Sequence, residues 1–194
     1  MQLHELMSEA EQALAAEEEA TNLAFNLSRK IIRKTKTAIH GIHAGQRDPE
    51  LIDSISSDLA GLVEAVAGYP KLVYGADVES AMMEFAETVI YDYALRGEEI
   101  PSYRVLEITP AAWVLGLADS IGELRRDMLD RLMKGNLPEA TRIFSKMEEL
   151  CDVLMTLDIK DSVVPVRRKQ DIARGIMERS RTDLATAKIM SKVH

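Results

Sequence analysis

No glycine or proline interrupts this chain before Gly41, and the first proline is Pro49. These are the two strongest helix breakers, so the opening segment predicts one unbroken helix from about His4 to about Ala44. An element that long constrains the architecture. Nothing downstream argues for strands. Aromatic residues make up only 5% of the 194 residues, Ala, Leu, Ile and Met are plentiful, and no alternating Val/Thr/Tyr run or Asn-Gly hairpin signal is present.

Punctuation along the chain marks five further helices. Gly45 suits the position just past the end of the first helix. Asp48-Pro49-Glu50 reads as N-cap, first-turn proline and first-turn acid, starting a second helix that ends near Gly68-Tyr69-Pro70. A third covers about Asp77 to Leu95 and stops at Gly97. Thr109-Pro110 opens a fourth, which runs to about Lys134. Asn136 caps a fifth, which ends near Leu157. A sixth follows the break at residues 158–165 and runs to about Met190. Short loops make neighbours antiparallel. The fold reading is all-α: one domain over residues 1–194, an antiparallel bundle of about six to seven helices.

Four carboxylates fall at helical spacings on two of these helices. Glu84 and Glu87 are three residues apart on the third, and Asp119 and Glu123 are four apart on the fourth. Residues at those spacings share a face. Two such pairs facing one another would surround a hard divalent cation with oxygen, and without Cys or His the donors suit Mg2+ or Mn2+ rather than zinc. Glu84, Glu87 and Tyr91 lie roughly opposite the apolar face of Met82, Phe85, Ala86, Val89, Ile90 and Tyr93, so amphipathicity alone makes the two glutamates ordinary solvent-facing acids. Asp119 and Glu123 border a broad apolar arc of Leu117, Ile121, Leu124 and Met128, where an acid is costly unless paired or metal-bound. Gly116 and Gly122 would admit a close neighbour.

The formal charge of −8 is unevenly spread. From Thr21 to Arg47 there is no acid. There Arg29, Arg33, Lys36, His40, His43 and Arg47 form one helical stripe, with Lys30 and Lys34 beside it and Phe25, Leu27, Ile31, Ile32, Ile39 and Ile42 on the other side. A solvated face is the plain reading of such a stripe; its length, its lack of acids and its arginines favour phosphate contacts. A second basic island runs through Arg167, Arg168, Lys169, Arg174, Arg179, Arg181, Lys188 and Lys192. The single cysteine, Cys151, sits in an apolar run and reads as a core residue; no intrachain disulfide is possible. No apolar run is long enough for a membrane span, and the acidic start lacks the pattern of a signal peptide. A cytoplasmic protein without membrane association is expected.

The segments LSRKIIRKTKTAIHGIHAG, MEFAETVIYDY, ITPAAWVLGLADSIGELRRDML and VRRKQDIARGIMERSRTDLATAK resemble the translin superfamily over nearly the whole chain. The Thr-Pro start followed by LGLADSIGEL is most similar to translin-associated factor X. The loop at residues 97–103 is short and no nuclear-targeting tract is present, as in archaeal single-gene members. The resemblance implies hollow octameric barrels that hold nucleic acid inside, with the basic first helix lining the cavity. It also implies a Glu-x-x-Glu and an Asp-x-x-x-Glu that bind Mg2+ and cut RNA, here Glu84, Glu87, Asp119 and Glu123. The expected activity is a Mg2+- or Mn2+-dependent endoribonuclease on single-stranded RNA, with single-stranded DNA as a further ligand held by Arg29, Lys30, Arg33, Lys34, Lys36, His40 and His43. Two alternatives stand beside it: a non-catalytic nucleic-acid-binding protein, and an all-α nucleoside triphosphate pyrophosphatase, whose paired helical acids are similar but whose second pair is spaced differently.

Overall fold

The computed structural model describes residues 2–191; Lys192 of the second basic island lies outside the described residues. The helices are α1 (Gln2–His43), α2 (Pro49–Val66), α3 (Pro70–Val73), α4 (Ala76–Arg96), α5 (Pro110–Met133), α6 (Leu137–Met155) and α7 (Val166–Met190). At 1.5 Å per residue, the 42 residues of α1 extend about 60 Å. The single turn α3 is the one element the sequence reading did not separate: Pro70 pre-sets the backbone for a helical turn, but the chain turns again at Gly75.

Boundary chemistry explains the starts and stops. The side chains of Asp48, Thr109 and Asn136 each accept a hydrogen bond from a first-turn amide, those of Leu51, Ala112 and Glu139, at 3.0, 3.1 and 3.2 Å. Each cap is followed by a proline at the first or second helical position. Gly45 and Gly97 follow α1 and α4 with φ of +71° and +70°, a left-handed conformation that glycine adopts at no steric cost.

The helix α4 is the hub. It shares its largest interface with α5 and a second with α1, while α6 and α7 cover the far side of α5. Its buried residues lie on nearly every side, from Val78 and Ala81 through Phe85, Ala86, Val89 and Ile90 to Tyr91 and Asp92. The expected seam of α5 is also internal, with Ile121, Leu124 and Met128 at 0% exposure. Each such side chain contributes about 1.5–3 kcal/mol by leaving water. Cys151 packs in the core as expected. Phe25 departs from expectation: it is exposed and stacks under the Arg29 guanidinium at 5.6 Å, because α1 is only entering the bundle there, at Ala24.

Candidate functional site

The site forms where α4 crosses α5. A Cβ at Gly116 would lie 2.6 Å from Ala86 Cβ, 2.7 Å from Glu87 N and 2.7 Å from Met83 O. Only glycine lets the α4 backbone, at Glu87, come this close to α5. At Gly122 the nearest atom to such a Cβ is Ile176 Cδ1, at 4.0 Å, so this second glycine does not serve the crossing.

Both acidic pairs meet at this junction, and Glu84 and Glu87 are half-buried rather than solvent-facing. The amphipathic reading failed because α4 is enclosed on more than one side. Burial, followed by the charges of Asp119, Glu84 and Glu123, pushes the Glu87 carboxyl up to about 8. Among the described residues Glu87 has no hydrogen-bond or ion-pair partner of its own. Burial also raises Glu84, against the opposing charge of Lys36, and the Thr35 hydroxyl of α1 lies 3.5 Å from its Oε2.

The second pair is already engaged. Lys169 of α7 donates to both oxygens of Asp119 at 2.5 and 2.7 Å. Glu123 accepts from His43 Nε2 at 2.5 Å. His43 Nδ1 lies 2.9 Å from the Tyr91 hydroxyl and 3.1 Å from Asp127 Oδ2, and Tyr91 donates to Asp127. Burial lowers His43, but the hydrogen bonds and charges of Asp127 and Glu123 outweigh it and push the imidazole up to about 9. Burial and the Asp127 carboxylate hold the Tyr91 phenol well above its ordinary range, so it stays a donor. As these side chains are turned, no three Asp, Glu, His or Cys residues among the described residues stand in position to hold a metal. Glu84, Asp119 and Glu123 all act on Glu87 by charge, while Lys169 and His43 hold the last two in ion pairs.

Asp127 and Tyr91 were not assigned to the site from sequence, and Lys169 was read only as part of a basic island. A signal existed. Asp127 continues the Asp119–Glu123 spacing by one more step of four, and Tyr91 lies four residues beyond Glu87. Lys169 is remote in sequence and had none.

The basic stripe divides. Arg29, Arg33, Lys36 and His40 are exposed. Lys30 and Lys34, expected on the nucleic-acid surface, each bind Asp58 of α2 at 2.7 Å. His43, expected to join them, turns inward with 8% of its side chain exposed. Arg47 lies past the end of α1 and forks onto buried Asp92 at 2.6 and 2.9 Å. The second island is partly engaged within the chain: besides Lys169, Arg174 pairs with Asp171 and Arg181 with Glu148.

No family model matches the chain. MJ0175, an uncharacterised protein of Methanocaldococcus jannaschii, is 34% identical over 176 residues, covering 89% of this chain and 78% of that protein. The solved structure of AfC3PO matches with a TM-score of 0.75 at 32% identity, covering 98% of both chains. The AfC3PO–duplex RNA complex matches with 0.75 at 30% identity and the same coverage. The chain belongs to the translin superfamily. Apo-NeC3PO, at 19% identity, shares the translin-like fold with a TM-score of 0.82 over 94% of this chain and 96% of its own. No helix among the described residues is long and apolar enough to cross a membrane.

Proposed function

We propose that this translin-superfamily chain is a divalent-metal-dependent endoribonuclease that cleaves single-stranded RNA, works as a homo-oligomeric barrel, an octamer by family resemblance, and acts in the cytoplasm. The observation that carries the proposal is Glu87. It is a half-buried carboxyl without a hydrogen-bond or ion-pair partner among the described residues, acted on by the charges of three other carboxylates and pushed up to about 8. Such an arrangement is costly in a purely structural site and is relieved by a cation. The donors are all oxygen, which fits Mg2+ or Mn2+. Glu84, Glu87, Asp119 and Glu123 would hold the ion once Asp119 parts from Lys169 and Glu123 from His43. When bound, the ion supplies Lewis-acid activation of a phosphate and an acidified water.

The chain's own side chains do the rest. Arg29, Arg33, Lys36 and His40 present a row of exposed donors along α1 for phosphates, without reading bases. Lys36, the third residue of that row, acts on Glu84 by charge, so a strand laid along α1 would pass the carboxylates. Lys169, freed from Asp119, is left beside them as a phosphate contact. A relative at 30% identity is described as a complex with duplex RNA, which supports a nucleic-acid partner; the preference for single strands, and single-stranded DNA as a further ligand, are part of the proposal.

The second reading is a nucleic-acid-binding protein without catalysis. It is favoured by the Lys169–Asp119 and His43–Glu123 pairs, which complete the charge balance of two acids without any metal. End-labelled single-stranded RNA incubated with Mg2+ or Mn2+, with and without EDTA, separates the two. Cleavage that EDTA stops, and that E87Q and D119N lose while retaining RNA affinity, is the expected result. RNA left intact by the wild type under every metal condition, with binding unchanged, refutes the nuclease.

A further inference from the structure

One conspicuous surface plays no part in that site. Every residue from Gln2 to Ala16 is exposed, and burial along α1 begins only at Ala24. About 22 Å of helix therefore projects beyond the bundle. Yet it carries an apolar seam. The buried positions of α1 include Ala24, Ser28, Ile31, Thr35, Ala38 and Ile42, in alternating steps of four and three, with Ile39 beside them. The same alternation runs backwards through Thr21 and Glu17 to Leu14, Ala10, Met7 and Leu3. The seam that packs inside the bundle thus continues, in register, onto a stretch where Leu3 is 77% and Leu14 66% exposed. Sustained four-three spacing is the pattern of a helix that packs along its whole length, and an isolated helix of this length is marginal in water.

Charge identifies what covers it. The stretch holds Glu5, Glu9 and Glu11; Glu17, Glu18 and Glu19 follow directly after it, and no Lys or Arg precedes Arg29. Two such helices repel one another, and nucleic acid would be repelled too. A seat must be apolar and carry positive charge. The groove of about 430 Å³ at the carboxy-terminal half of α5 is of that kind. Its floor is Gly122, Leu129 and Met133, the last 86% exposed, and Arg126 stands at its rim with 62% of its side chain exposed, held only by a long 4.0 Å contact with Glu123. The other charged groups on this wall are neutralised within the chain: Arg125 by Asp183, and Asp130 by Lys134.

We infer that residues 2–16 are an assembly arm that docks through the Leu3–Met7–Ala10–Leu14 seam onto a second copy of this chain, in the α5 groove of Gly122, Arg126, Leu129 and Met133. The inference deepens the oligomeric part of the proposed function and is independent of catalysis. Its surfaces are head-to-tail, arm to groove, so repetition builds rings or larger closed assemblies rather than stopping at a symmetric pair.

The test is sedimentation velocity on the full-length chain, a form lacking residues 2–16, and the variants L14E, M133E and R126E, with circular dichroism confirming the fold. The arm buries nothing in its own subunit, so its removal leaves the remaining helices folded. The expected result is an oligomeric wild type and a smaller species for the deletion and for L14E, M133E and R126E. A wild-type mass in the deletion and in L14E overturns the arm while leaving the oligomeric reading intact. A fall in mass for the arm variants but not for M133E and R126E overturns the seat, and with it the inference. A monomeric wild type overturns the oligomeric reading itself and the arm with it.

Discussion

Substituting Gly116 by alanine tests whether the α4–α5 crossing builds the site. The added methyl would stand 2.6–2.7 Å from Ala86 Cβ, Glu87 N and Met83 O, and two of these are backbone atoms that no rotamer change can move. Carbon pairs rest about 3.5–4.0 Å apart, so α4 has to retreat by about 1 Å. Overpacking of this kind costs about 1–3 kcal/mol, against about 1 kcal/mol gained from alanine's better helix propensity. The net expectation is a loss of about 0–2 kcal/mol. Measured in the form lacking residues 2–16, where no arm docks on Gly122, G122A is the internal control: its methyl meets Ile176 at an ordinary 4.0 Å, so it should realise most of the propensity gain, about 1 kcal/mol. Urea unfolding at fixed protein concentration in EDTA, followed by circular dichroism, measures both. RNA cleavage in Mn2+ should fall about 100-fold in G116A, because a 1 Å displacement carries Glu87 away from Asp119. A G116A protein as stable as G122A, with cleavage unchanged, would refute the argument that this contact holds the carboxylates together.

Three further expectations follow from neighbouring groups. Replacing Arg47 by alanine leaves Asp92, only 2% exposed, with Arg96 alone, and should cost about 1–3 kcal/mol in the same unfolding assay without changing RNA affinity; a loss of RNA affinity with unchanged stability would return Arg47 to the binding surface. Stability in EDTA should decline as pH rises toward about 9. The folded value of His43, about 9, lies above its ordinary 6.5, so its contribution is full below 6.5 and is lost as pH passes through 9. The folded value of Glu87, about 8, lies above 4.5, so ionising it weakens the fold between 4.5 and 8. E87Q should flatten the lower part of that decline and H43Q the upper part; a wild-type profile that rises across this interval contradicts both assignments. Charge reversal at Arg33 and Lys36 should weaken RNA binding and lower the salt slope of log K by about 0.7 for each lost phosphate contact, as read by fluorescence anisotropy from low to moderate salt; an unchanged slope removes the α1 ridge from the binding surface.

Helix boundaries were legible because their chemistry is local. Asp48, Thr109 and Asn136 cap their helices within four residues, and Gly45 and Gly97 act at single backbone positions. The acidic pairs were legible for the same reason, since steps of three and four fix a shared face without knowledge of the fold. Two aspects of the site were not. The burial of Glu84 and Glu87 depends on α1 and α5 closing over α4, and amphipathicity reports only a helix's average environment. The engagement of Asp119 by Lys169 joins residues 50 apart in sequence, and that of Glu123 by His43 joins residues 80 apart. No spacing rule reaches so far. The pairing of Lys30 and Lys34 was hidden for a related reason: their partner, Asp58, lies on a helix whose packing side was not known in advance.

The distribution of counter-charges bears on how the cluster persists in a folded chain at all. Five carboxyl groups, those of Glu84, Glu87, Asp119, Glu123 and Asp127, converge between α4 and α5, and mutual repulsion there opposes packing. Lys169 and the His43 imidazolium offset part of it from opposite ends, one reaching in from α7 and the other from the end of α1. Both are tethered to elements outside the α4–α5 pair, so neutralising the acids also fastens α1 and α7 to the junction. Glu87 is left between them, its ionisation opposed by burial and by three neighbouring acids. A chain selected only for stability would replace it with glutamine or leucine, at no loss of any hydrogen bond. The remaining misfit is therefore concentrated on Glu87 at the close α4–α5 contact of Gly116, where a divalent cation would offset the repulsion of its neighbouring acids.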